Sequence, residues 1–302
     1  MRVPEQHSKL VDAVAAANPN TVVVLCGGSA MELPWADTPR AILLANLGGQ
    51  AGGGGVADVL LGAVNPAGKL AETYPLRQSD HGSDAWFPGA RQVQYREGIY
   101  VGYRWFDTVG AAVRFPFGHG LSYTTFDVTD LSLSGATDAD ADGFAQEVSV
   151  TVTNTGSVAG AEVVQVYVRG PRRVIHRPDR ELRGFAKLRL ASGESQRITI
   201  RLDRRAFAFF DVAGHAWQVE PGAYDVLVGT SSRDIRLQST VTLSSRFSGG
   251  AVAPGAGWVP SVQALADDAT FAALLGAPIP AATAVRPFTR NSTIGEVSAV
   301  WP

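Results

Sequence analysis

Glu97 is the residue in this sequence whose setting comes nearest to acid–base chemistry. It lies in Tyr95-Arg96-Glu97-Gly98, and Arg104 follows on the same segment. A general acid must hold its proton near neutral pH, whereas neighbouring arginines favour the charged carboxylate. We therefore predict a structural ion pair for Glu97 and keep it as the one catalytic candidate. The same reasoning predicts structural roles for two further carboxylates, Asp37 and Glu72.

Two glycine-rich patterns come close to functional motifs without matching them. Gly27-Gly28-Ser29-Ala30-Met31 follows a strand, but Met31 stands where a G-x-S-x-G nucleophile elbow needs its closing glycine. The run from 48 to 55 fits neither the G-x-G-x-x-G nor the P-loop spacing, and no lysine follows it. We predict a tight strand-to-helix turn there, which needs positive φ and close backbone approach.

Composition and charge exclude several classes of function. The net charge is −2 and the pI is near 6.2, so we expect neither nucleic acid nor a membrane surface as a partner. The five histidines are scattered without metal-ligand spacing, so we predict no metal and no cofactor. The single cysteine, Cys26, is predicted to be a buried, inert thiol within an apolar strand. No secretory apolar segment or membrane-length run is present, and we expect a cytoplasmic protein.

The elements that must position these residues begin with an alternation of helix and strand. Helical spacing predicts a helix from Gln6 to Ala17, and short apolar runs predict strands from Thr21 to Cys26 and from Ala41 to Leu47. A second helix is predicted from Val56 to Leu61. Strands without polar alternation are typical of a parallel sheet covered on both faces, which indicates an α/β layered domain.

The segment from Tyr95 to Phe126 separates this first part from the second. Ile99, Val101, Tyr103 and Trp105 share one parity, so the pattern predicts a strand with a bulky face. The Pro- and Gly-rich run from Phe115 to Gly120 predicts an ordered junction, and a new strand is predicted from Ser122 to Phe126.

Beyond the junction the pattern changes to strict alternation. Valines at 148, 150 and 152, and again at 164, 166 and 168, share one face of two strands. The runs from 197 to 202, 207 to 210 and 224 to 229 repeat this period between Gly- and Pro-containing turns. Many short strands of this kind predict an all-β antiparallel sandwich.

A basic loop and a tail complete the chain. We predict that the basic loop docks on the neighbouring domain instead of binding a ligand; its arginines are Arg169, Arg172, Arg173, Arg177, Arg180 and Arg183. The tail, residues 246–302, is rich in Gly, Pro and Ala; it predicts a linker from Gly249 to Gly257 and one helix from Val262 to Leu275, with Asp267 and Asp268 on its exposed side.

Several long motifs, in order, carry a family resemblance. The stretches NPNTVVVLCGGSAMELPW, GGQAGGGGVADVLLGAVNPAGKLAETYPL and YREGIYVGYRWFD…FPFGHGLSYTTF resemble the second domain of glycoside hydrolase family 3 and its junction with a fibronectin-III-like domain. The resemblance implies an α/β sandwich domain over 1–117, a fibronectin type III-like domain over 118–245 and a tail over 246–302. One departure is Ala51, which stands where the family commonly has a glutamate.

The resemblance also implies what is missing from these residues. Retaining glycoside hydrolysis uses two carboxyl groups about 5 Å apart. In the family the nucleophile belongs to an N-terminal (β/α)8 barrel, and the acid/base glutamate precedes the helix that corresponds to Gln6–Ala17. Loops near residues 77–91 approach the family's active-site entrance, which makes Trp86 and Phe87 candidates for sugar stacking, although loop anchoring is the favoured interpretation.

Three hypotheses follow for the function. The chain is the C-terminal part of a β-glycosidase from a truncated or split reading frame, inactive alone, whose parent hydrolyses terminal β-linked glucosides or xylosides. Alternatively, it is a stand-alone carbohydrate-binding or accessory protein that completes a barrel on another chain, or that self-associates through an exposed apolar face. A third arrangement places the barrel after the sandwich, as in family members with reversed domain order.

Overall fold

The computed structural model describes most of the chain, with gaps in three loops and in the tail. The described residues are 2–87, 93–171, 177–211, 214–249, 267–280, 288, 290, 292 and 294–298. Within those ranges no helix is long and apolar enough to cross a membrane.

The first unit is an α/β layer built on a short parallel sheet. Helix α1 (Glu5–Ala17) precedes strand β1 (Val22–Leu25), which pairs in parallel with β2 (Ala41–Leu44). Helix α2 (Gly52–Leu60) follows, so the helix predicted at 56–61 in fact begins four residues earlier, at Gly52. The predicted turn with positive φ is present at Gly49, whose φ is +63°. Glycine is a poor helix former, which is why the sequence pattern hid the first turn of α2.

Within the described residues, one face of the parallel sheet is covered and the other is partly exposed. Val23 and Leu25 pack against the core cluster around Leu33, Trp35 and Tyr74. On the opposite face Val22 and Val24 remain 43% and 39% exposed. We call the surface formed by Val22, Val24 and Cys26 the open β1 face.

Cys26 corrects a prediction. The thiol was predicted to be buried, but it is exposed. Successive side chains of an extended segment alternate between faces, so Cys26 shares its side with Val22 and Val24 instead of Val23 and Leu25. The local apolar composition could not reveal which face the structure leaves open.

The connecting segment also differs from its prediction. Residues 99–105 do not form a strand; a turn leads into helix α3 (Tyr103–Thr108), which is flanked by the two-stranded pair β3 (Tyr74–Pro75) and β4 (Val113–Phe115). Gly98 and Gly102 take φ values of +53° and +60°, which interrupt an extended run. Ile99 and Val101 are consequently exposed, while Trp105 and Phe106 are buried in α3.

The second unit is the antiparallel sandwich that the alternation predicted. Its strands are β5 (Phe126–Gly135), β6 (Ala145–Asn154), β7 (Gly160–Arg169), β8 (Glu181–Leu190), β9 (Ser195–Asp203), β10 (Phe209–Asp211), β11 (Ala216–Gln218), β12 (Gly222–Gly229) and β13 (Ile235–Leu243). One sheet has the order β13-β12-β7-β8, the other β5-β6-β9, and β10 pairs with β11. The alternating valines of β6 and β7 fill the space between the sheets, with Val148, Val152, Val164 and Val166 fully buried.

Strand β5 begins later than predicted. Residues 122–125 form a loop instead of a strand, and β5 starts at Phe126. The Asn65 side-chain oxygen accepts hydrogen bonds from the Ser122 hydroxyl and the Tyr123 backbone N–H, both at 2.9 Å. These contacts tie the junction back to the first unit before the sandwich begins.

The basic loop docks on the first unit, as predicted. The Asp179 backbone N–H donates to the Thr108 hydroxyl of α3 at 2.8 Å, and the Leu182 N–H donates to the Tyr103 hydroxyl at 2.8 Å. Asp179 in turn pairs with Arg169 and Arg180 of the loop. Arg172 and Arg173 lie outside the described residues.

Arg233, in the turn between β12 and β13, adds further contacts between the sandwich and the first unit. Its Nη2 donates to the backbone carbonyls of Phe106 and Ala111, and its Nε pairs with Asp107 at 2.7 Å. The Asp107 side chain is only 4% exposed, so this pair is screened poorly by water. The turn between β12 and β13 therefore holds the C-terminal end of α3.

Two short helices are described in the tail, α4 (Asp268–Leu275) and α5 (Ile294–Ser298). Helix α4 confirms the C-terminal part of the predicted helix, with Asp268 exposed. Residues 262–266 and most of the predicted linker lie outside the described residues.

Candidate functional site

The candidate sugar-binding rings lie on a loop of short 3-10 turns, described over residues 78–87 and 93–100, which we call the candidate loop. Its first turn, Gln78–Asp80, is held because the Gln78 backbone N–H donates to Glu32 Oε1 at 2.7 Å. The Gln78 side-chain amide then donates to Asp84 Oδ1, also at 2.7 Å, at the start of the second turn, Asp84–Trp86. These two carboxylates accept hydrogen bonds from the backbone N–H and the side-chain amide of Gln78. They hold the loop in place although it contains no α-helix or β-strand.

The base of the candidate loop is apolar and packed on α3. The Trp105 indole N–H donates to the Asp80 carbonyl at 2.9 Å, and Phe106 is fully buried below it. The His81 ring meets Phe106 edge to face with centroids 5.1 Å apart. Burial lowers the pKa of His81, opposed by the nearby acidic side chains, so this ring favours its neutral form.

Trp86 and Phe87 differ in how they are presented. The Arg96 guanidinium lies over the Trp86 ring at 3.7 Å from its centroid, so one face of the half-buried indole carries a cation. Phe87 is 73% exposed. The exposed Phe87 ring is free to stack on a sugar, whereas loop anchoring accounts for the half-buried Trp86.

Glu97 corrects the predicted ion pair. Arg96 pairs instead with Asp268 at 2.6 Å, and Arg104 pairs with Glu181 at 3.4 Å. Within the described part of the chain Glu97 is half-buried and makes no ion pair, while its backbone carbonyl accepts from the Tyr100 N–H at 2.9 Å. The sequence shows that Glu97 lies near two arginines in the chain. It could not show that both arginines pair with carboxylates that are distant in the sequence.

The two other carboxylates have structural contacts, as predicted. Asp37 pairs with Arg114 at 2.6 Å. Glu72 accepts from the Ala30 backbone N–H at 2.8 Å and so holds the chain just after β1. Both contacts stabilise the first unit, so neither Asp37 nor Glu72 is assigned a catalytic role alongside Glu97.

The site that the structure assembles is suited to binding. In it the buried Arg96 lies against the Trp86 ring, and Phe87 and Glu97 are the neighbours of these two residues in the sequence. Sequence reasoning missed two participants, Asp268 and Phe271 of α4, which contact Arg96 from 172 and 175 positions away. No local pattern could have found them, since only the folded tail brings α4 to the loop.

The described residues combine an α/β layer with a fibronectin-III-like sandwich, and hydrogen bonds join the two units. Residues 1–123 match the Glycosyl hydrolase family 3 C-terminal domain, and residues 162–232 match the Fibronectin type III-like domain. The chain therefore belongs to glycoside hydrolase family 3 and is the C-terminal part of a β-glucosidase-like protein. The domain boundaries at 117 and 245 stay predictions.

Similar proteins agree with this placement. Thermostable beta-glucosidase B of Acetivibrio thermocellus is 44% identical over 283 residues, which cover 91% of this chain and 36% of that protein. An exo-alpha-(1->6)-L-arabinopyranosidase of Bifidobacterium breve is 47% identical over 80% of this chain and 31% of that protein. The crystal structure of a Bifidobacterium adolescentis GH3 beta-glucosidase superposes with a TM-score of 0.77 at 43% identity, covering 91% of this chain and 40% of that one. The chain thus spans about a third of the length of the curated relatives it matches.

Proposed function

We propose that this chain supplies the non-catalytic C-terminal domains of a β-glycosidase and acts only when the remainder of a family 3 chain covers its open β1 face. The observation that carries the proposal is that face itself. A parallel sheet is almost always covered on both sides, yet Val22 and Val24 are 43% and 39% exposed. Burying such valines stabilises an interface by roughly 25 cal/mol per Å² of apolar area.

The proposed substrates are terminal β-linked glucosides or xylosides. Support comes from relatives that are named beta-glucosidases. The arabinopyranosidase relatives act on a different sugar by name, so similarity to this group of proteins does not fix the sugar preference. The nucleophile and the acid/base carboxyl would come from the covering chain, because the described site offers Glu97 without a second carboxyl assigned to chemistry. The isolated chain should therefore not hydrolyse aryl β-glucosides.

Co-expression with the N-terminal two thirds of the Acetivibrio thermocellus relative tests this proposal. Activity on p-nitrophenyl β-glucoside or β-xyloside is expected only when both chains are present. The single thiol, Cys26, lies on the open β1 face and should react with a maleimide in the isolated chain but be protected in the complex. Turnover by the isolated chain that disappears in Glu97→Gln would overturn the proposal.

A matched pair of variants locates the interface. Val24→Asp places a charge on the open β1 face and should abolish both complementation and Cys26 protection. Val158→Asp changes a valine of similar exposure, 44% against 39%, in the turn between β6 and β7, and should leave both unchanged. Equal loss in the two variants would point to general misfolding and reject the assigned face.

A second candidate function is sugar binding by the chain alone, which the exposure of Phe87 favours. Calorimetry with gluco-oligosaccharides should then show saturable heat that Phe87→Ala abolishes. Absence of heat rejects this candidate and leaves the first unaffected. Self-association through the open β1 face is a distinct outcome, recognised by Cys26 protection that depends on protein concentration without a partner.

A further inference from the structure

We propose that Arg96 is a positioning residue that ties helix α4 of the tail to Trp86, so that the tail fixes the candidate loop. The Arg96 side chain is 2% exposed although it carries a permanent charge. A buried guanidinium is tolerated when its donors and its faces are occupied by suitable groups. Here the occupying groups come from two segments that lie far apart in the chain.

The edges and faces of the guanidinium are engaged in different ways. Along its edge, Nε donates to Gln94 Oε1 at 2.7 Å and Nη2 donates to Asp268 Oδ1 at 2.6 Å. Two rings approach its carbon, Trp86 with its centroid at 3.7 Å and Phe271 at 4.6 Å. Arginine suits this setting because its planar cation can stack on rings while it donates in its own plane.

A second arginine–aspartate pair shows what is special about this contact. Arg114 and Asp37 also lie 2.6 Å apart, and both aspartates are largely exposed, at 86% for Asp37 and 76% for Asp268. The difference is the arginine, since the Arg114 side chain is 21% exposed against 2% for Arg96. Removing one partner of a desolvated charge is far more disruptive than breaking a surface pair. Asp268 should therefore matter to the loop, whereas Asp37 should not.

The consequence for function is an effect on binding geometry. Arg96 covers one face of Trp86, so its position sets the orientation of the indole, and Phe87 follows Trp86 directly in the chain. If these rings receive sugar, a consequence that rests on the proposed function, loosening α4 should raise KM and leave kcat unchanged. The ordering of the loop by α4 does not depend on that function.

Hydrogen exchange on the full chain tests the positioning directly. Asp268→Asn should make peptides within 81–87 and 93–100 exchange several-fold faster, on the order of fivefold, because the loop opens locally. Asp268→Glu, which keeps the carboxylate, should restore most of the protection, and Phe271→Ala should act in the same direction as Asp268→Asn. The matched control Asp37→Asn should leave these peptides unchanged.

A spectroscopic readout separates orientation from stability. The near-UV circular dichroism of Trp86, obtained as the difference between each chain and its Trp86→Phe counterpart, should weaken in Asp268→Asn but not in Asp37→Asn. Unchanged exchange and unchanged dichroism in Asp268→Asn would overturn the proposal, as would equal changes in both aspartate variants. If the co-expressed complex shows no activity, the proposed function fails while these two measurements still decide the role of Arg96.

Discussion

The two units of this chain bury their valines in opposite ways. In the sandwich, Val150 of β6 is 1% exposed and its neighbours on the same face are fully buried between two sheets. In the first unit, Val22 and Val24 of β1 lie on a sheet face that stays open. One unit has both layers of its core within the described residues, whereas the other has one.

The two units are also linked to each other by hydrogen bonds across their junction. The first unit meets the sandwich through Arg233 on the end of α3 and through the basic loop on Thr108 and Tyr103. A small core with one open face gives little hydrophobic stabilisation. The contacts across the junction should therefore decide whether the first unit stays folded when no partner covers the open β1 face.

The same valine-to-aspartate substitution should have very different effects in the two units. Val150→Asp buries a charge between two sheets and should lower the free energy of unfolding by about 4 kcal/mol or more. Val24→Asp should lower it by about 1 kcal/mol or less, because the side chain already meets water. Urea denaturation followed by circular dichroism measures both, and comparable losses would mean that the β1 face is covered in solution.

The junction should give the next largest effect. Arg233→Ala removes the donor to two backbone carbonyls and leaves the buried Asp107 without its cation, so we expect a loss of about 1–3 kcal/mol. Calorimetry should show the first unit melting separately and earlier than the sandwich. Arg236→Ala, which breaks a pair whose side chains are 43% and 44% exposed, is the control and should cost about 1 kcal/mol or less.

Acid should weaken the junction more than the sandwich. Burial lowers the pKa of His119, and Lys69 acts in the same direction, against a smaller opposing effect of Asp234. The unfolded chain, with an ordinary histidine pKa of about 6.5, then binds the proton more readily, so stability present above that pH is lost as the pH falls below it. The Tm should fall between about pH 7 and 5, and the fall should be smaller in His119→Gln. An equal fall in the variant would assign the pH dependence to other groups, such as His81.

The smallest expected change in stability comes from a substitution at the exposed thiol of the open β1 face. Cys26→Ser replaces an exposed thiol with a hydroxyl of similar size and should change the free energy of unfolding by no more than about 0.5 kcal/mol. Thermal denaturation of the two chains measures this directly. A loss of about 2 kcal/mol would show that the thiol is buried in solution and would contradict the face assignment.

Secondary structure was predicted well where a sequence pattern reflects burial and poorly where glycines interrupt or hide the pattern. The period-two valines of β6 and β7 identified the sandwich because one face of each strand must be buried, which fixes the alternation. The stripe from Ile99 to Trp105 has the same parity but forms a turn and a helix, since Gly98 and Gly102 take positive φ there. Helix α2 was placed too late because its first turn is built from glycines.

The candidate site was predictable only in its parts. The motif at 95–98 singled out Arg96 and Glu97, and the loop pattern singled out Trp86 and Phe87. Their partners could not be read from neighbouring residues, because Asp268 and Phe271 reach Arg96 across more than half of the chain. The predicted ion pair of Glu97 with its neighbouring arginines was wrong for this reason.

Local properties of the chain, its periodicity and its long motifs, were enough to predict the order of the two units, the all-β character of the second and the family to which both belong. Three features emerged only on folding: which face of β1 stays open, which carboxylate pairs with Arg96, and the position of the exposed thiol on the open face. Those outcomes depend on which distant segments meet, and contact between distant segments is set by packing that no local pattern encodes.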